Sequence, residues 1–510
     1  MRLLALLLLA ACCVSSQSTE DSKVNATEST TAADGVDLGD RFGHRGPSRR
    51  PGSSSQHRPG GGGSYHGGSG EHYGGSSGGG SYHGGSHESQ KRSPLNLEYG
   101  WKKMDFAFQS DSERRNAVRS GTYNYTKIIP LDVDIWEKAG RKKVFVTMPT
   151  DDGVPATLAT VSFEGDPHAP LMAPYPDWSW HRHGDCRSIS SVFRVAVDEY
   201  DRLWVMDRGD DKKCLPKLMT FDLNTDRLLS KYEFSPSVLL NRSNLITPVV
   251  DVRDNGRNTF VYIADVIGGL IVYDHQSKSA WRVNHPLTLP EPAFSTHTIA
   301  GSTFYLPDGV FGLALGPLEC GGQRGQGGQH GQGGGSYSHG HGHGHGARCD
   351  QDRTLYFHAL ASRTENHVKT SVLRNRDNFP RGQNRASSSF KSFDHTRPSQ
   401  SAAQAMSEQG VLFSGLLPDL ALMCWNSEQP YAGWNLEVVA KDPETLQFTS
   451  GVKVRNGKLW VMSCRYQRFI TGTMNWNEVN YRVQSARVAD LIRGTKCDPK
   501  TNNIGSARLR

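Results

Sequence analysis

The segment Trp178-Ser179-Trp180-His181-Arg182-His183 sets two imidazoles beside two indoles, with Asp185 close behind. A neutral imidazole is the commonest general base near neutral pH. His181 or His183 can take a proton from a bound molecule, and Trp178 can form a wall for an aromatic ring. Arg182 or Arg208 offers a fork that can hold a ligand carboxylate. Asp207 and Asp265 end two matching apolar motifs, Leu203-Trp204-Val205-Met206 and Val261-Tyr262-Ile263-Ala264. Carboxylates at matched positions suit one mouth of a channel, where they can hold a ligand ammonium. Asp207 thus joins His181 and His183 as a candidate catalytic group. A plainer reading competes with each. The histidine segment also reads as a polar loop, and repeated Asp residues commonly accept from nearby backbone N–H groups to cap turns.

Metal chemistry has weaker support. His339, His341, His343 and His345 alternate with glycine. Such a tract can bind Zn²⁺ or Cu²⁺ through neutral imidazoles, but glycine leaves the ligands poorly preorganised. Asp198, Asp207 and Asp265 do not share the spacing of a calcium site. No resident metal or cofactor is expected.

Positioning these groups falls to a repeat. The apolar stretches at Val144, Leu203, Val261, Leu355, Leu412 and Leu459 recur every 47–59 residues, apart from one long interval after Val261. That interval holds a Gly/His-rich insertion, about 318–352. Polar turn residues precede several stretches, as in Asn456-Gly457 before Lys458, a hairpin signal. Six units of short strands predict an all-β, six-bladed β-propeller over residues 94–498. A pair of β-sandwiches is the plainer alternative.

The flanks differ in composition. Residues 1–16 read as a secretory signal peptide, with a charged start and a short apolar core. Residues 17–93 are rich in Gly, Ser and His, repeat GGGSYHGGS, and are expected to be a disordered N-terminal extension. Residues 499–510 form a short tail. The 510-residue chain has a net charge of +7, scattered along its length, which excludes the basic stripe of a nucleic-acid binder. No internal apolar run reaches the length of a membrane span. Sequons at Asn25, Asn124 and Asn241 suit glycosylation of an exported chain. Nine cysteines include Cys12 and Cys13 in the leader, so seven remain. Export favours disulfides, and the odd count leaves a thiol unpaired or paired with another chain. Cys320 and Cys349 flank the insertion and are expected to bridge its base. Cys186 and Cys214 bracket a strand pair and are the second expected bridge.

Several motifs carry a family resemblance. Ala173-Pro174-Tyr175-Pro176-Asp177-Trp178, Ser191-Val192-Phe193-Arg194-Val195-Ala196-Val197-Asp198 and Arg202-Leu203-Trp204-Val205-Met206-Asp207 resemble the insect yellow / major royal jelly protein family. So do Ile263-Ala264-Asp265, Leu355 to Ser362, Cys424-Trp425-Asn426 and Leu459-Trp460-Val461-Met462-Ser463. The resemblance spans about residues 95–498. It implies a secreted six-bladed propeller, but not one activity. Relatives in the family include pigmentation factors, dopachrome-converting enzymes, amine-binding salivary proteins, and food or eggshell proteins. It also implies that Phe413, Trp425 and Asn435 contribute to a ligand pocket, with Trp425 stacking on an aromatic amine; the plainer reading makes them core aromatics or turn formers.

The expected function is therefore cuticle or eggshell pigmentation and hardening. The partners would be a small catechol or indole amine and an extracellular matrix. Dopachrome conversion is one possible activity. A non-catalytic amine carrier and a structural matrix protein are the alternatives. The ligand-binding expectation places Trp178, His181, Asp207, Arg208, Asp265, Phe413, Trp425 and Asn435 together at one mouth.

Overall fold

The computed structural model describes residues 93–162, 165–210, 213–319 and 352–500. They form six four-stranded antiparallel sheets. The sheets are the blades of a β-propeller, numbered 1 to 6 over residues 132–174, 192–233, 245–283, 310–396, 401–441 and 449–487. Each expected apolar stretch is the second strand of its blade: Arg141–Thr147, Arg202–Asp207, Asn258–Asp265, Thr354–Ala359, Val411–Leu416 and Lys458–Ser463. Second strands are flanked on both edges and packed on both faces, so they are apolar along most of their length. The outer strand Arg227–Glu233 is mostly exposed and carries Arg227, Lys231 and Glu233.

The last blade is built from both ends of the domain. Asn96–Trp101 pairs with Tyr481–Arg487, so the first strand completes blade 6 and closes the ring. Closure leaves no blade with an unpacked face. Buried clusters fill the blade junctions. Phe145, Leu203 and Phe221 pack between blades 1 and 2, and Phe413, Leu422 and Val461 between blades 5 and 6. The turn Asn456-Gly457 has positive φ at both residues (49° and 69°), the conformation that joins strands tightly.

Strand direction gives the ring two distinct faces. Blade-to-blade connections and the loops between second and third strands emerge on one face, here the upper. Turns between first and second strands, and between third and fourth, emerge on the lower. A two-stranded hairpin, Thr296–Ile299 with Ser302–Tyr305, belongs to the upper connection between blades 3 and 4.

The innermost strands surround a channel that side chains bridge. Arg194 of blade 2 donates from Nη2 to the carbonyls of Ala402 in blade 5 (2.9 Å) and Ser450 in blade 6 (2.6 Å). Lys453 pairs with Asp132 at 3.0 Å and donates to the Val195 carbonyl.

Two bridges are present among the described residues. Cys186–Cys214 is the expected one, and Cys424–Cys497 ties blade 5 to the segment after blade 6. Cys464 is a buried free thiol, pushed up to about 12 by burial, so it is neither exposed for pairing with another chain nor reactive. The expected Cys320–Cys349 bridge, the leader, residues 17–92 of the expected 17–93 extension with Asn25, and the histidine tract lie outside the described residues. No helix among the described residues is long and apolar enough to cross a membrane.

Candidate functional site

His181 follows the short 3₁₀ turn Trp178–Trp180, which Asp177 caps by accepting from the Ser179 amide. The ring is buried, and its Nε2–H donates to the Tyr175 carbonyl at 3.1 Å. Nδ1 is sealed from solvent without a partner. Burial pushes the imidazole down to about 4, so it is neutral and only weakly basic. The cavity beside it, lined by Thr150, Thr157, Ser190 and Asp210 among others, measures about 40 Å³. That is room for about three waters, short of an aromatic substrate. His183 and Arg182 are exposed. Asp185 is engaged by Arg187 at 3.0 Å. Trp178 stacks on Phe108 (5.0 Å) and donates to the Ala107 carbonyl, so it packs against the N-terminal segment.

Asp207 and Asp265 serve one repeated purpose. Asp207 accepts from the amides of Ser190 (2.7 Å), Ser191 (2.9 Å) and Gly209 (2.9 Å) and pairs with the buried Lys217 at 2.9 Å. Asp265 accepts from the Asn244 amide and the Ser243 hydroxyl and pairs with Arg282 at 2.9 Å. Each carboxylate, at the end of a second strand, clamps the chain entering the first strand of its own blade. Their acceptor sites are filled by the protein, as the turn-capping reading expects. Arg208 donates from Nε to the Ser191 hydroxyl and lies over the Phe193 ring, 5.6 Å from its centroid.

The remaining expected ligand residues do not join them. Phe413 is fully buried in the blade 5–6 core. Trp425 packs with Tyr356, Phe393 and Tyr431 between blades 4 and 5 and donates to the Gln429 carbonyl. It lies near the end of a third strand, Ala421–Asn426, which runs toward the lower face. Asn435 is in the lower loop that follows, donating to the Pro430 carbonyl. The expected convergence on one mouth is therefore corrected. His181, Asp207 and Asp265 are at the upper face, while Trp425 and Asn435 are at the opposite end.

The centre of the upper mouth holds other residues. Asp308 sits just before the innermost strand of blade 4, Val310–Leu315, and its backbone is pinned by the Ala361 and Leu360 loop. Its carboxylate has no hydrogen-bond or ion-pair partner among the described residues. Desolvation pushes it up to about 7. Burial, and after it the Asp308 charge, raises the Tyr466 phenol, which reaches the mouth from blade 6. Half-buried Phe193, Phe304, Phe311 and Tyr466 pack against one core cluster there. Phe304 and Tyr466 meet edge-on at 6.1 Å, and Phe311 carries the Arg194 guanidinium 4.9 Å from its centroid.

These residues escape a motif reading. Pro307-Asp308-Gly309 has the composition of an ordinary turn. Arg194 left a signal: it is a lone charge inside the apolar run Val192–Val197. A charge at such a position must find partners across a channel or site. No group of three or more His, Cys, Asp or Glu among the described residues is placed to hold a metal.

Comparison with known proteins fits this architecture. The family model for major royal jelly protein matches residues 190–325 and 330–497. The chain is 35% identical to major royal jelly protein 9 of Apis mellifera, over 81% of this chain and 92% of that one. It is 31% identical to protein yellow of Drosophila subobscura, over 82% and 70%. Among solved structures, a luciferin-regenerating enzyme shares 12% identity at a TM-score of 0.37, covering 72% of this chain and 92% of that one. Virginiamycin B lyase from Staphylococcus aureus shares 10% at 0.35, covering 71% and 96%. Those two likenesses carry no functional argument. The family model and the long matches to its members show that this chain belongs to the major royal jelly protein family.

Proposed function

We propose that this protein is secreted and acts in cuticle or eggshell pigmentation and hardening, binding a catechol-derived aromatic at the upper mouth. The observation that carries the reading is Asp308, an unpartnered carboxylate among half-buried aromatic side chains. An ammonium pairs with such a carboxylate, and a ring packs on such walls. Two disulfides and the exposed sequon residues Asn124 and Asn241 support an oxidising, extracellular setting.

Turnover is the stronger form of the proposal. Isomerising dopachrome moves protons from saturated ring carbons to the quinone oxygens, and consumes no oxidant. A base works best with a pKa near the working pH. Asp308, held at about 7, meets that need better than His181 at about 4. Simple retention of a biogenic amine is the second reading, favoured by the same lone carboxylate.

One experiment separates them. Purified protein is mixed with dopachrome, and separately titrated with dopamine and serotonin by calorimetry. Faster loss of dopachrome colour than the spontaneous rate, abolished in Asp308→Asn, supports turnover. Binding heat without turnover supports retention. Neither signal, in a folded preparation, rejects the mouth as a ligand site.

A further inference from the structure

Arg194 is a further charged group of the upper mouth, and its surroundings are unusual. The residue is 5% exposed, and no carboxylate among the described residues is within ion-pair distance. Burial lowers its pKa, with Asp132 opposing that shift from beyond contact. Buried charges are normally paired, because leaving water is costly. Here only Nη2 is engaged, by the two carbonyls across the channel. Nε and Nη1 make no hydrogen bond to the protein, and neither is sealed from solvent as a buried orphan. Those donors keep some contact with solvent. The guanidinium also rests on Phe311, three residues along the chain from Asp308.

The mouth therefore offers an anion and a cation that lack an ion-pair partner among the described residues, with an aromatic ring beside the cation. We infer that Arg194 is a specificity-determining residue: one of its unengaged N–H donors takes the oxygen-bearing end of an aromatic amine whose cationic end lies on Asp308. The ligand class is an arylalkylamine carrying catechol, phenol or quinone oxygens on its ring. An arylalkylamine without ring oxygens leaves the guanidinium unpaired and gains only the Asp308 end. This inference rests on the proposed binding at the upper mouth and specifies what that mouth selects.

Three probes test it by calorimetry on the full chain: dopamine, phenylethylamine and catechol. For the wild type, dopamine should bind about 10- to 100-fold tighter than phenylethylamine, the ratio a charge-assisted hydrogen bond carries. Arg194→Met should erase that ratio by weakening dopamine alone. Asp308→Asn should weaken both amines while sparing catechol. Because Arg194 ties three blades together, Arg194→Lys provides a milder variant, expected to keep part of the preference, and the wild-type ratio needs no variant at all. Equal binding of the two amines to the wild type overturns the inference and leaves the proposed amine site standing. Absence of binding by either amine overturns both.

Discussion

Asp207 and Asp308 stand at the same face, each beside the start of an innermost strand, yet their surroundings are opposite. Asp207 is saturated: three backbone amides and Lys217 use its oxygens. Asp308 has no partner among the described residues, and its carboxyl is pushed up to about 7. The lesson is about where a protein spends a carboxylate. The blade 2 corner uses one to hold its own chain in place, and a ligand would have to displace those bonds. The centre of the mouth keeps one without such partners, at a cost to the folded state, a pattern common at functional sites.

Substitutions should separate the two regions. Asp207→Ala strands Lys217 in the interior and should cost about 3–5 kcal/mol of stability, the usual loss when one partner of a buried pair is removed. Chemical denaturation checks it, and a loss below 1 kcal/mol would mean the corner is not held by this residue. Trp425→Ala, at the far end, should also cost about 3–5 kcal/mol, as for other buried aromatic truncations. Its dopamine affinity should stay unchanged, as measured on the folded fraction. A weakened affinity there would restore the pocket that the resemblance implied.

Asp308→Asn should act in the other direction. A carboxyl raised to about 7 is destabilising to the folded state once charged, so its penalty grows as pH rises from about 4 to 7 and is fully present above. The asparagine variant should be more stable than the wild type at pH 8, by about 1–4 kcal/mol, and equal to it near pH 4. A loss of stability at pH 8 would place Asp308 with Asp207 as a structural clamp. His181 is the smallest expected effect. Its neutral imidazole, depressed to about 4, contributes stability above pH 6.5 that is lost as pH falls toward 4. His181→Gln should flatten that acid loss by at most about 3 kcal/mol and leave dopachrome conversion at the wild-type rate. Slowed conversion would return the base to this corner.

Much of the ring is legible in the sequence, because second strands bury both faces and so carry continuous apolar runs. Its closure is not. Asn96–Trp101 is largely exposed or half-buried, and its residues carry no repeat signal. The site is harder for a related reason. Asp207 and Asp265 are visible as repeated residues, but whether a carboxylate is free depends on amides that fold onto it. Trp425 and Phe413 come from adjacent strands running in opposite directions, and residue spacing does not reveal which end of the channel each approaches. Asp308 reads as part of a turn because its Pro-Asp-Gly setting is one. Its isolation arises from loops of blades 3, 4 and 6 that are far apart along the chain.

The pH dependence of dopamine affinity tests the central claim most directly. With the ammonium on Asp308, affinity should fall about tenfold for each pH unit below about 7, as the carboxyl takes up its proton, and level off above. Asp308→Asn should bind weakly, with no such slope. A flat wild-type profile between pH 5 and 8, or an asparagine variant that binds as tightly as the wild type, would contradict the account.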